Sequence, residues 1–125
     1  DGITLFGRAD AGFHRSLPAE VLSGRTLILC DIEGGEFDVF TPEVVSAFRN
    51  STFIIELHDW KFDNRSEKRA ALLQQFDGFD IRVLKSEPKQ WVGISEIEEL
   101  SENERALVCS EGRKFLGEWV ICDPK

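Results

Sequence analysis

The chain has 125 residues, which is enough for one domain or for part of a larger one. Its formal net charge of −8 excludes a basic surface for nucleic acid and disfavours docking on an anionic membrane. No stretch approaches the roughly 20 apolar residues of a membrane-spanning helix, and no signal peptide is visible.

The first predicted elements are short. Residues 3–6 form an apolar run that fits the end of a strand. A short helix is predicted to follow, with Ser16 as its N-cap, Pro18 in its first turn and Gly24 at its end. Residues 26–30 form a continuous apolar run, which is typical of a strand buried on both faces of a parallel sheet.

The middle of the chain continues the alternation of helices and strands. A helical pattern follows residue 36 and is predicted to restart at Thr41, with Thr41 as the N-cap before Pro42. Residues 52–57 predict a second buried strand, residues 66–76 an amphipathic helix, and residues 79–84 a third strand.

The end of the chain predicts one more helix and one more strand. Ser101 and Glu104 have capping-box spacing, so we expect a helix over residues 101–109. Residues 118–122 form the last predicted strand. The alternating order predicts an α/β fold with a mostly parallel sheet, in one unit that spans all 125 residues.

Acidic and imidazole side chains follow two of the predicted strands. They are Asp31, Glu33, Glu36, Glu56, His58 and Asp59. In open parallel sheets, ligands bind outside the carboxyl ends of the strands, so these groups would face one cleft if the two strands are neighbours. Crowded carboxylates suit general acid–base chemistry. Their oxygens, with an imidazole, could equally bind a hard divalent cation.

Each of these residues also has a purely structural interpretation. Glu33 and Glu36 could act only as carboxylates in the first turn of a helix, where the macrodipole favours them. Glu56 interrupts a buried strand, and a buried carboxylate must be paired or functional. His58 alone would be an ordinary loop histidine. Asp31 is the strongest candidate, because it lies at the carboxyl end of an apolar strand.

The cysteines predict reduced thiols. There are three of them, widely spaced and without a CxxC pair, and Cys30 and Cys122 lie inside apolar runs. We therefore interpret them as free thiols in a cytoplasmic protein and not as ligands of structural zinc. Dinucleotide-binding, P-loop and nucleophile-elbow motifs are absent from the sequence.

Residues 26–60 resemble the FkbM-type class I methyltransferases. Residues 29–40, LCDIEGGEFDVF, resemble the D-x-E-G-x-E element that follows the fourth strand of the Rossmann-like sheet in that family. Residues 54–59, IIELHD, resemble the family's next strand, with its glutamate and frequent histidine. The spacing between the two elements also fits.

The resemblance implies a partial Rossmann-like methyltransferase sheet whose last strand, near residues 117–122, is antiparallel. It implies transfer of a methyl group from S-adenosylmethionine to a hydroxyl of a small molecule or a glycan. The expected catalytic residues are Asp31, Glu56 and His58. The expected substrate-binding residues are Glu33, Glu36 and Asp59.

One half of the family pattern is not visible. The glycine-rich loop and the acidic residue that hold the methyl donor in such enzymes are not found in this sequence. We therefore expect the C-terminal half of a larger methyltransferase, with donor binding by the parent protein and an inactive isolated chain. The absence of methionine also predicts residues upstream. The missing strands would expose a sheet edge and favour a homodimer.

Two other functions are compatible with the same residues. The chain could be a non-catalytic α/β module whose acidic rim docks a basic protein partner. Alternatively, it could be a metal-dependent hydrolase that uses Asp31, Glu33, Glu56 and His58 as ligands.

Overall fold

The structure is a computed structural model that describes residues 2–85, 95–109 and 117–125. Its four strands form one sheet in the order β1-β2-β4-β3. The strands are β1 (Leu27–Cys30), β2 (Thr52–Leu57), β3 (Phe79–Lys85) and β4 (Glu118–Pro124). The predicted α/β class is therefore confirmed, and so is the strand assigned to residues 52–57.

Strand β4 lies between two strands that run in the opposite direction to it. β1 and β2 pair in parallel, whereas β4 pairs antiparallel with β2 on one side and with β3 on the other. The prediction of an antiparallel last strand is confirmed. Strands β1, β2 and β3 run in the same direction, as predicted for a mostly parallel sheet. Only β1 and β2 pair in parallel, however, because β4 lies between β2 and β3.

Five α-helices are described, and short 3₁₀ turns separate some of them. The helices are α1 (Ala19–Ser23), α2 (Glu36–Val39), α3 (Pro42–Ala47), α4 (Arg65–Gln74) and α5 (Glu102–Cys109). The 3₁₀ turns are Phe13–Ser16, Asp59–Lys61 and Ser95–Ile97. None of the described helices combines the length and the hydropathy that crossing a bilayer requires.

Local capping signals explain where two helices begin. The backbone N–H of Val44 donates to Thr41 Oγ1 at 3.4 Å, which caps α3. At α5 the N–H of Ser101 donates to Glu104 Oε2 at 2.8 Å, and the N–H of Glu104 donates back to Ser101 Oγ at 3.4 Å. Both predicted caps are confirmed.

Two expectations at the start of the chain are wrong. Residues 3–6 are not part of a strand, and Ile3 and Leu5 are 92% and 90% exposed. An extended run becomes a strand only beside a partner, and none of the described strands pairs with it. Ser16 does not cap α1, because the N-cap position is Pro18; the Oγ of Ser16 instead donates to the carbonyl of Phe13 within a 3₁₀ turn. Gly24 ends α1 as predicted.

The side of the sheet that packs against α2, α3 and α4 is called the covered face. The strand residues on it include Ile28, Cys30, Phe53, Ile55, Val120 and Cys122. Phe53 is fully buried at its centre. The ring of Phe53 meets those of Phe40, Phe76 and Phe79 edge-on, with centroids 5.6, 5.0 and 5.6 Å away. This aromatic cluster forms the middle of the hydrophobic core.

The opposite side of the sheet is called the open face. Its strand residues include Leu27, Leu29, Ile54, Glu56, Trp119 and Ile121. Leu27 and Leu29 are 64% and 67% exposed. The prediction that residues 26–30 are buried on both faces is therefore wrong, because the described residues cover only one face of β1.

Candidate functional site

A strained turn joins β1 to α2. Glu33 has a φ angle of +57° and Gly34 a φ angle of +106°, both in the left-handed region. Glycine adopts this backbone freely, whereas a non-glycine residue such as Glu33 costs on the order of 1 kcal/mol there. The turn carries the carboxylates of Asp31 and Glu33 at the carboxyl end of β1, next to the carboxyl end of β2.

His58 follows β2 and is fully buried. Its backbone N–H donates to Glu36 Oε1 at 2.7 Å, and its Nδ1 lies 3.3 Å from the same oxygen. The Glu36 oxygen accepts in this contact when the proton is on Nδ1. In the neutral imidazole the lone pair then lies on Nε2.

Glu36 holds this imidazole in place. Its side chain is fully buried, and its second oxygen, Oε2, accepts the N–H of Gly34 at 2.9 Å. Both carboxylate oxygens therefore have protein partners. The sequence predicts a substrate-binding role for Glu36, but its geometry favours a positioning role, because it presents no accessible surface.

The free edge of the imidazole points at three carboxylates. His58 Nε2 lies 3.6 Å from Asp31 Oδ1, 3.6 Å from Glu33 Oε1 and 4.0 Å from Glu56 Oε2. It has no hydrogen-bond partner within the described ranges, although it is buried. The side chains of Asp31 and Glu33 are 46% and 61% exposed, so the cluster opens to solvent on their side. Five of the six residues that the sequence predicts to share one cleft therefore lie together, namely Asp31, Glu33, Glu36, Glu56 and His58.

Lys61 connects the two loops of the site. Its ammonium group donates to the backbone carbonyl of Glu33 at 3.0 Å and forms an ion pair with the Glu33 carboxylate. One oxygen of Glu33 thus faces Lys61 while the other faces His58. The sequence analysis missed Lys61, since nothing in its local pattern marks it as a partner of a residue 28 positions away.

Asp59 belongs to a different feature. It lies 3.5 Å from Arg69 Nη1, which also pairs with Glu118. These three residues line a groove of about 340 Å³, together with Leu57, Trp60, Arg65 and Ser66. The hydrogen bond from Arg69 holds the pKa of Glu118 below its usual value. The structure therefore pairs Asp59 with this groove and not with the imidazole.

The site thus has a buried, oriented imidazole surrounded by carboxylates, of which two reach solvent. Such a cluster can bind a hydroxyl group or a cation, because it offers acceptors on several sides of one small volume. Carboxylates and an imidazole are also the groups that most often transfer protons in enzymes. No family model, curated protein or solved structure matches this chain.

Proposed function

We propose that this chain is the C-terminal part of an S-adenosylmethionine-dependent O-methyltransferase with a Rossmann-like sheet. The observation that carries the proposal is the convergence of Asp31 and His58 at the carboxyl ends of two adjacent parallel strands. The antiparallel β4 between β2 and β3 supports it. The resemblance of residues 26–60 to FkbM-type enzymes supports it as well.

The cluster would hold the acceptor hydroxyl of a small molecule or a glycan. An oxygen lodged among Asp31, Glu56 and His58 could hydrogen-bond to more than one of them, since their polar atoms lie within 4.0 Å of Nε2. One of these groups would take the hydroxyl proton as the oxygen becomes the nucleophile. Fixing the hydroxyl in one orientation removes part of the entropic cost of reaction.

The described residues do not fit the methyl donor itself. A glycine-rich donor loop would have to follow a strand, and residues 3–6, which precede Gly7 and Gly12, are exposed and outside any strand. We therefore assign donor binding to a part of the parent protein beyond this chain. Calorimetric titration of the chain with S-adenosylhomocysteine should show no binding, and measurable binding would contradict this assignment.

Replacement of Asp31 in the intact parent protein tests the acceptor site. Asp31→Asn should lower kcat by on the order of 10²-fold or more, because a proton acceptor and an orienting group are lost together. The melting temperature should hardly change, since the side chain is half exposed. Asp63→Asn, which alters an exposed carboxylate of the adjacent loop, is the matched control. Equal turnover in both variants would refute the assignment.

The remaining parts of the proposal concern partner and compartment. We propose that the isolated chain forms a homodimer along β1, because β1 is an edge strand whose outer N–H and C=O groups pair with no described strand. A monodisperse monomer in light scattering would count against it. The proposed compartment is the cytoplasm, where the free thiols of Cys30, Cys109 and Cys122 would stay reduced.

A further inference from the structure

We infer that Asp31, Glu33 and His58 form a binding site for one divalent first-row metal ion such as Mn²⁺ or Zn²⁺. Each residue offers one ligand atom, and these atoms all lie within 4.8 Å of one another. This site uses residues of the proposed acceptor cluster, but its existence does not depend on methyl transfer, because metal binding can be measured on the chain by itself.

The orphaned nitrogen of His58 is the first argument. The side chain is fully buried, and Nε2 has no hydrogen-bond partner among the described residues. A buried polar atom without a partner is costly, and such atoms in folded proteins often mark a missing water or ion. Nε2 points into the space beside Asp31 and Glu33, which is where a metal ion would sit.

The partner of Nδ1 is the second argument. A metal-bound histidine nearly always donates its other ring N–H to a carboxylate, a carbonyl or a water, which fixes the tautomer and the ring orientation. Glu36 Oε1 lies where such a carboxylate acceptor would lie, 3.3 Å from Nδ1. It is itself fixed by the backbone N–H of His58 at 2.7 Å. The imidazole is thus oriented before any ion arrives.

The distances are the third argument. Ligands about 2.0–2.2 Å from a tetrahedral zinc ion are about 3.3–3.6 Å apart. Nε2 lies 3.6 Å from Asp31 Oδ1 and 3.6 Å from Glu33 Oε1, which is close to this spacing, and the three ligand atoms all lie within 4.8 Å of one another. Both carboxylates reach solvent, which leaves an entry path and open positions for water or for a substrate hydroxyl.

The donor set selects the class of cation. Carboxylate oxygens suit Mg²⁺, Ca²⁺ and Mn²⁺, whereas imidazole nitrogen suits zinc and its neighbours. One nitrogen with two oxygens therefore favours Mn²⁺ or Zn²⁺ over Ca²⁺, which prefers six to eight oxygen ligands. The carboxylate of Glu56 lies 4.0 Å from Nε2, on the buried side of the same cluster.

Paramagnetic NMR gives the sharpest test, because the chain contains only two histidines, His14 and His58. After removal of metals with EDTA, substoichiometric Mn²⁺ should broaden the ring resonances of His58 far more strongly than those of His14. Broadening of both rings alike, or of neither, would overturn the inference.

Calorimetric titration with Mn²⁺ and Zn²⁺ provides the second test. We expect one ion per chain, affinity lowered by about 100-fold or more in Asp31→Asn, and by about 10–100-fold in Glu36→Gln. Asp63→Asn should bind like the unmodified chain. Circular dichroism identifies any variant that fails to fold, and Asp31→Asn, at a half-exposed position, keeps the test decisive if Glu36→Gln does not fold. Weak binding that is equal in all variants would overturn the inference.

Discussion

The two faces of the sheet differ sharply, although alternate residues of the same strands supply both. In β1, Cys30 on the covered face is 6% exposed, whereas Leu29 on the open face is 67% exposed. Both side chains are apolar, so the difference in their exposure comes from what packs on each side of the sheet. A run of apolar residues thus indicates a strand, but how many of its faces are buried depends on segments far away in the chain.

Near the candidate site, the side chains on the open face are buried. Glu56 alternates with the covered-face residues of β2 and pairs across the sheet with Trp119, yet it is only 3% exposed. His58, two residues further along, is fully buried. The carboxyl end of β2 is therefore packed on both sides, while the exposed leucines of β1 are not. Tight packing and the titratable cluster coincide at this end of the sheet.

The largest expected effect comes from removing a ring on the covered face. Phe53→Ala should lower the free energy of unfolding by about 3–5 kcal/mol, since it leaves a cavity among buried aromatic rings. Leu29→Ala, the matched change on the open face, should cost less than about 1 kcal/mol. Urea denaturation measures both. Similar losses in the two variants would break the comparison and show that the open face is buried in solution.

The three thiols should differ in reactivity according to whether they lie on the covered face. Cys30 and Cys122 belong to the covered face and are buried, whereas Cys109 on α5 is partly exposed. A thiol reagent should label Cys109 at once. The other two should react slower by at least about 100-fold, because labelling them requires an opening of the core. Three equally fast thiols would mean that the covered face opens readily.

Alkaline pH should weaken the covered face. Burial, with a smaller effect of Asp123, raises the pKa of Cys122 from 9.0 to about 12. Between these two values the unfolded chain releases a proton that the folded chain keeps, so stability should fall as the pH rises through this window. In Cys122→Ala, the free energy of unfolding from denaturation curves should fall less steeply with pH. An unchanged pH dependence would mean that other groups cause the loss of stability.

The smallest effect is expected from the ion pair between Arg69 and Glu118, the first residue of β4. Arg69 holds the pKa of Glu118 below its usual 4.5, so their pairing should stabilise the fold above that pH and be lost as the pH falls further. Arg69→Gln should cost about 1 kcal/mol at neutral pH and less in acid. A loss that persists at low pH would mean that Arg69 acts through packing.

Local signals predicted the elements better than the surroundings of those elements. The strand over residues 52–57 and the cap at Thr41 depend on adjacent residues, and both are confirmed. The strand expected at residues 3–6 failed, because a strand needs a partner that local sequence does not specify. The double burial expected of residues 26–30 failed for the same reason.

The candidate site shows the same division. The rule that ligands gather at the carboxyl ends of parallel strands was enough to bring Asp31 and His58 together. It could not show that Glu36 lies behind the imidazole, or that Asp59 turns towards Arg69. Those outcomes depend on side-chain contacts between elements distant in sequence.

The left-handed backbone at Glu33 has a consequence for directed evolution. Glycine and asparagine adopt this conformation more readily, so a library selected only for thermal stability should drift towards them at this position. The same changes would remove a carboxylate that faces His58 and pairs with Lys61. A second library, selected for cation binding, should retain the glutamate. Position 33 is therefore where the two selections would diverge first.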